Sequence, residues 1–204
     1  MTDEGRTTGP RPDEASQADG RVASRREIVR GIGAACLCMA APPALAQGDP
    51  ASILPKPGDF IVAARDKTKV LTVNDIPLSS GAVEAWAQDP ASGVVRSGNA
   101  INRLILFRFD EKELSPGALA NSAKGVVAFT IVCTHSGCEV TDWVPDERLL
   151  ECPCHFSRYD PRDNANVIQG PATRHLPVLA LKAEDGGKLV VAKAFDSRVG
   201  FDSN

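Results

Sequence analysis

Cys133-Thr134-His135-Ser136-Gly137-Cys138 and, 13 residues further on, Cys152-Pro153-Cys154-His155-Phe156-Ser157 are two boxes that each hold two cysteines and one histidine. The chain has 204 residues with six Cys and three His, and most of both fall within this short stretch. Closely spaced thiols and imidazoles are the soft and borderline donors that hold transition metals. The boxes therefore mark a metal centre.

Outward from the boxes the pattern is that of strands. Short runs of β-branched and aliphatic residues, separated by Gly, Pro, Asn and Asp, predict strands at 60–64, 70–73, 103–109, 126–132, 149–151, 167–169, 178–182 and 188–192. Asp185-Gly186 between the last two is a hairpin signal, because Gly tolerates the positive φ of such turns. Ser115-Pro116-Gly117-Ala118-Leu119 predicts a short capped helix that Gly125 ends. Residues 80–100 show no clear period and read as an excursion from the sheet. The expectation is an all-β, antiparallel domain over residues 59–204, preceded by a linker at 47–58.

The first 46 residues read as a targeting segment. Residues 1–23 are polar and without periodicity. Then Ser24-Arg25-Arg26 opens a charged region, an apolar run follows over 31–41, and Ala44-Leu45-Ala46 ends it. This is the layout of a cleavable export signal, and the paired arginines resemble the twin-arginine type. A spanning helix needs about 20 apolar residues, more than 31–46 supply with two prolines inside. Cys36 and Cys38 would be lost with the signal, leaving the four box cysteines. The whole chain carries 23 Lys+Arg against 26 Asp+Glu, a net charge of −3. That excludes a strongly basic nucleic-acid binder.

The two boxes resemble those of the Rieske iron–sulfur family, in the disulfide-containing form of cytochrome bc complexes and arsenite oxidase small subunits. The likeness is sharp over 133–160, extends to residue 177, and is only architectural before 126. It implies an antiparallel β-sandwich with a smaller cluster-binding subdomain inserted near 133–172. It implies one [2Fe-2S] cluster per chain, with Cys133 and Cys152 on one iron and His135 and His155 on the other. It pairs Cys138 with Cys154 as a disulfide, makes Ser157 and Tyr159 hydrogen-bond donors to the cluster's sulfurs, and makes Gly170-Pro171-Ala172 a loop covering it. Zinc on the same residues would take four ligands and strand two thiols, and C-x-H spacing is unusual for it.

Charge explains the ligand choice. Two ferric ions, two sulfides and two thiolates sum to zero, whereas four thiolates would leave a dianion. An electron is added to the neutral cluster more readily, hence potentials of about −150 to +300 mV against about −400 mV for plant-type ferredoxins. Sulfur-directed donors at Ser157 and Tyr159 push toward the upper part of that range. The disulfide would close a loop of about 17 residues, worth about 3 kcal/mol in the chain-entropy model, and needs the oxidising compartment that the signal implies.

Two departures bear on function. Ser136 stands where the cytochrome bc pattern has Leu, and Phe156 stands where it has Gly, as in arsenite oxidase small subunits. The expected function is periplasmic one-electron transfer, as carrier or small subunit of a respiratory oxidoreductase and not as an enzyme by itself. The partner would be a molybdoenzyme large subunit of the arsenite-oxidase kind, with a cytochrome c or copper protein as acceptor. The alternative is the quinol-oxidising subunit beside the cytochrome b and c subunits of a bc-type complex. A Rieske oxygenase needs a further two-histidine, one-carboxylate iron site. Only His175 remains for it, and that residue reads as a surface side chain.

Overall fold

The structure, a computed structural model, describes residues 48–201. The stretch read as an export signal, with Cys36 and Cys38, lies outside the described residues. Ten strands run in chain order: β1 (Phe60–Ala63), β2 (Val83–Gln88), β3 (Leu104–Arg108), β4 (Val126–Thr130), β5 (Asp142–Val144), β6 (Leu149–Glu151), β7 (Arg158–Asp160), β8 (Asn166–Gln169), β9 (Leu181–Ala183) and β10 (Leu189–Val191). They form a six-stranded sheet, order β4-β3-β2-β1-β10-β9, and a four-stranded sheet, order β5-β6-β7-β8. All named pairings are antiparallel. The small sheet lies in the chain between β4 and β9, as the expected insertion requires. No helix among the described residues is long and apolar enough to cross a membrane.

Two strands serve both halves. β3 reads LILFR and β4 reads VVAFT, apolar at nearly every position. Because successive side chains point to opposite faces, Leu104, Leu106, Val126 and Ala128 go to one core with Ile61, Leu179, Leu189 and Val191. Ile105, Phe107, Val127 and Phe129 go to a second core with Val140, Leu150, Tyr159 and Leu176. The cluster-binding part is thus seated on the outer face of β3 and β4. A one-residue slip in their register, Leu106 opposite Ala128, would exchange the two cores.

Several expected elements are corrected. Residues 80–100 contain β2, an interior strand, not an excursion; its sequence VEAWAQ is poor in β-branched residues. The stretch 70–73 makes only isolated bridges, Val62 to Val70 and Thr72 to Lys188, before a 3-10 turn at Val73–Asp75. The run at 178–182 becomes a strand only from Leu181, because the residues before it cross to β4. There Thr130 N donates to Pro177 O at 3.1 Å and Leu179 N to Ala128 O at 2.9 Å, closing the large sheet on itself. The helix α1 (Pro116–Asn121) is capped by the Ser115 hydroxyl but stops at Ser122, before Gly125.

The segment before β1 is fastened to the sheet. Asp59 and Arg96, both about nine-tenths or more buried, pair through two hydrogen bonds, with Arg96 Nη2 to Asp59 Oδ1 at 2.9 Å. Asn102 Nδ2 donates to Ile53 O at 2.8 Å, and Gly98 N to Ala51 O at 2.9 Å. The stretch read as a linker is therefore held from residue 51 onward.

Candidate metal centre

Each box is a tight loop leaving a strand, and the two loops share one backbone frame. In box one, Cys133 N donates to Cys138 O at 2.7 Å and Gly137 N to Cys133 O at 3.0 Å. In box two, Cys152 N donates to Ser157 O at 2.9 Å and Phe156 N to Cys152 O at 2.9 Å. The fifth residue of each loop has positive φ: Gly137 at 80° and Phe156 at 56°. Two equivalent loops thus face each other, box one after β4 and box two between β6 and β7.

Of the six side chains in the facing loops, two are joined in the expected pair. Cys138 and Cys154 form a disulfide, with Cα atoms 6.6 Å apart. Cys133 and Cys152 are buried free thiols. The rings of His135 and His155 meet edge to face, centroids 4.6 Å apart, with His155 exposed and His135 partly so. Burial pushes the Cys152 thiol above its ordinary range, so bound metal, not water, is what would favour its thiolate.

A metal fits this set on a local observation. His135 Nδ1 is buried and has no hydrogen-bond partner, an expensive state for a polar atom unless something else occupies it. Two free buried thiols lie in the same loops. Cys133, His135, Cys152 and His155 could therefore hold two irons, thiolates to one and imidazoles to the other. Such a group supplies one-electron chemistry, and the loops fix where its histidine edge is exposed.

Tyr159 lies against one of these thiols, and Ser157 closes the box-two loop through its backbone carbonyl. Tyr159 is fully buried on β7, with its Oη 3.2 Å from Cys133 Sγ and 3.3 Å from Thr134 Oγ1. Burial, and then the contact with Cys133, raise its phenol pKa, so it stays a proton donor. Ser157 is equally buried and accepts from Ala172 N at 3.2 Å, which leaves its own proton to give. Thr134 was not singled out from sequence. It donates to Arg174 O at 2.7 Å and so ties box one to the segment after the covering loop. Its position inside a ligand box was the only available signal. His175 is partly exposed and pairs with Asp196 Oδ2 at 3.1 Å.

The segment read as a covering loop leans on box two at Gly170. Its φ is +93°, and a Cβ there would fall 2.5 Å from Ser157 Cα and 2.9 Å from Phe156 O. Both are backbone atoms that cannot step aside. Gly170→Ala is expected to cost about 2–3 kcal/mol through strain at this position and to shift Ala172 off Ser157. Thermal unfolding of the variant checks this; an unaltered midpoint would show that the loop does not pack this closely.

An all-β scaffold that presents facing thiols and imidazoles from two disulfide-linked loops defines a protein built around a metal cluster. Residues 90–180, which span both boxes, match the family model of the Rieske [2Fe-2S] domain. The chain carries a Rieske domain, and its cofactor is a [2Fe-2S] cluster. A Rieske subunit assigned to respiratory nitrate reductase in Haloferax mediterranei is 41% identical over 129 residues, 63% of this chain and 56% of that protein. The Rieske iron–sulfur subunit of the cytochrome bc1 complex of Streptomyces lividans is 39% identical over 79 residues, 39% of this chain and 46% of that one. The chain thus spans about half the length of these curated relatives. Among solved structures, the soluble domain of Rieske protein II (soxF) from Sulfolobus acidocaldarius aligns at TM-score 0.38 and 21% identity, over 50% of this chain and 65% of that chain.

Proposed function

We propose that Cys133 and Cys152 hold one iron and His135 and His155 the other, and that the chain is an exported one-electron subunit of a respiratory oxidoreductase. The observation that carries this reading is the facing of His135 and His155 at 4.6 Å beside two free buried cysteines. The half-exposed pair of imidazoles offers an electron a short way out. The relative assigned to respiratory nitrate reductase covers 63% of this chain, which supports a large redox enzyme as partner. A molybdoenzyme large subunit would donate the electron, and a cytochrome c or copper protein would accept it. The Cys138–Cys154 disulfide and the signal-like first 46 residues support a periplasmic setting.

A second reading, quinol oxidation within a cytochrome bc-type complex, is favoured by the 39% identity to a bc1 subunit over 79 residues. Against it stands Ser136, an exposed polar side chain where the apolar quinol-docking residue of that group is expected.

The test is an EPR spectrum of the purified protein after ascorbate and then after dithionite. A Rieske-type signal already present with ascorbate is the expected result. A signal only with dithionite would overturn the high-potential assignment, and no Rieske signal at all would overturn the ligand set.

A further inference from the structure

Beyond β10 the described chain, residues 192–201, forms neither helix nor strand, yet it is tied down along its length. Phe195 packs against the core of the large sheet. At Asp196 the backbone N–H donates to Val178 O at 3.1 Å. One carboxylate oxygen of Asp196 accepts from Val178 N at 2.9 Å, and the other lies 3.1 Å from His175 Nε2. Val199 packs against the second core, to which Cys133 and Tyr159 belong. Arg174 Nη2 donates to Gly200 O, and the Phe201 ring stands over Gly137 of box one. The end of a chain is ordinarily loose unless something holds it. Here a series of ties leads it from the large sheet to a ligand loop.

The ties converge on box one at two points. Buried Thr134 donates to Arg174 O at 2.7 Å, and the guanidinium of the same Arg174 holds Gly200. Three residues further on, a Cβ at Gly137 would fall 2.9 Å from Phe201 Cδ1 and 3.0 Å from its Cε1. Glycine takes the positive-φ turn there without steric cost, but the turn itself does not demand glycine, since Phe156 makes it in box two. What sets box one apart is the ring of Phe201, which fills the space a side chain at 137 would need. That ring is 45% exposed, so about half of it is withdrawn from water, and a tail that lifted would give up that burial.

We propose that residues 195–201 are a strap that holds box one closed, with Phe201 and Asp196 as positioning residues acting through Gly137 and the 174–178 segment on the loop that carries His135. Lifting of the strap is then the local opening that exposes the histidine side of the centre, at less cost than unfolding the domain. This rests on the ligand reading above, in which His135 holds iron.

The test uses full-length holoprotein and the variants Phe201→Ala, Phe201→Leu, Asp196→Ala and the double alanine variant. Leu119→Ala, which trims an apolar side chain of like exposure on α1, is the control. Iron release to the chelator bathophenanthroline disulfonate gives the rate of cluster loss, and hydrogen exchange read by mass spectrometry gives the opening of each box. Phe201→Ala and Asp196→Ala are each expected to release iron about tenfold faster than wild type. Tenfold corresponds to about 1.4 kcal/mol, the size expected for a half-buried ring. The double variant should stay well short of about a hundredfold, because once one end lifts the other has nothing left to hold. Phe201→Leu, still apolar, and Leu119→Ala should stay near wild type. In Phe201→Ala, exchange at 133–138 should speed up by the same factor as iron release, with exchange at 152–157 unchanged and a thermal midpoint no lower than that of Leu119→Ala. Wild-type release from Phe201→Ala would overturn the proposal, as would independent effects in the double variant. Equal loosening of both boxes with a fallen midpoint would overturn it too, by showing a general loss of stability. A wild-type protein without a Rieske EPR signal would instead overturn the ligand reading, and the exchange at 133–138, which needs no iron, would still decide whether the strap holds box one.

Discussion

Removing the hydroxyls of Ser157 and Tyr159 is expected to lower the cluster potential by about 60 mV each and by about twice that together. The reduced state carries the extra negative charge, so a donor aimed at sulfur stabilises it more than the oxidised state. A hydrogen bond to a charged acceptor is worth about 1.5–3 kcal/mol, and for one electron about 59 mV corresponds to a tenfold change in equilibrium, about 1.4 kcal/mol. The lower figure applies because the bond persists in both states and only the difference counts. Geometry puts the Tyr159 hydroxyl beside a ligand sulfur and leaves the Ser157 hydroxyl a proton to give. Tyr159 Oη lies 3.2 Å from Cys133 Sγ; Thr134, which gives its proton to Arg174 O, is left as a neutral acceptor at 3.3 Å, a weaker rival for the phenol proton than a thiolate at Cys133. Ser157 receives from Ala172 N and has its own proton left. A raised phenol pKa keeps Tyr159 protonated past its ordinary value of about 10, so the loss in Tyr159→Phe should not vary with pH over the neutral range. Redox titration of Ser157→Ala, Tyr159→Phe and the double variant measures all three values. An unchanged potential in either single variant would deny that residue its role.

Why these donors were legible, and other parts were not, follows from the distance over which sequence speaks. Ser157 and Tyr159 sit two and four residues past His155, and β7 carries Tyr159 inward by simple alternation: its burial is intermediate, buried, intermediate over Arg158–Asp160. The disulfide partners and free cysteines likewise lie within the same two boxes. β2 was hidden because Ala85, Trp86 and Ala87 are all buried, so a strand covered on both faces shows no alternation. Closure of the large sheet depends on Pro177 and Leu179 meeting β4, about 50 residues earlier in the chain, and nothing local announces it. The equivalence of the two boxes was concealed by their ligands. His135 is the third residue of its loop and His155 the fourth of its own, so only the backbone hydrogen bonds reveal a common frame.

Replacing both Cys138 and Cys154 by serine is expected to cost about 3 kcal/mol of folding stability and to shorten the lifetime of the bound cluster. The bridge spans a sequence separation of 16, and constraint of the unfolded chain alone gives the energy. The lifetime argument is local. Each loop is closed by its own backbone bonds, from Cys133 to Cys138 and from Cys152 to Ser157, and these stay within a loop. Box one reaches the other half through Tyr159 and through Arg174, both on its buried side. At the exposed side the disulfide is the covalent tie that holds His155 opposite His135. Without it, opening there admits water to the imidazole edge before the protein unfolds. Denaturant unfolding and the decay of the EPR signal would report the two effects separately. The single variant Cys138→Ser should lose its cluster faster than the double variant, although it makes one fewer change. It frees the exposed Cys154 thiol, and the sulfurs of Cys138, Cys152 and Cys154 lie within 4.8 Å of one another. That thiol can compete for iron with Cys152 or, on oxidation, pair with it, whereas serine at both positions can do neither. Equal decay in the two variants would mean that the bridge acts only by tying the loops together, and not also by keeping a rival sulfur from the ligand.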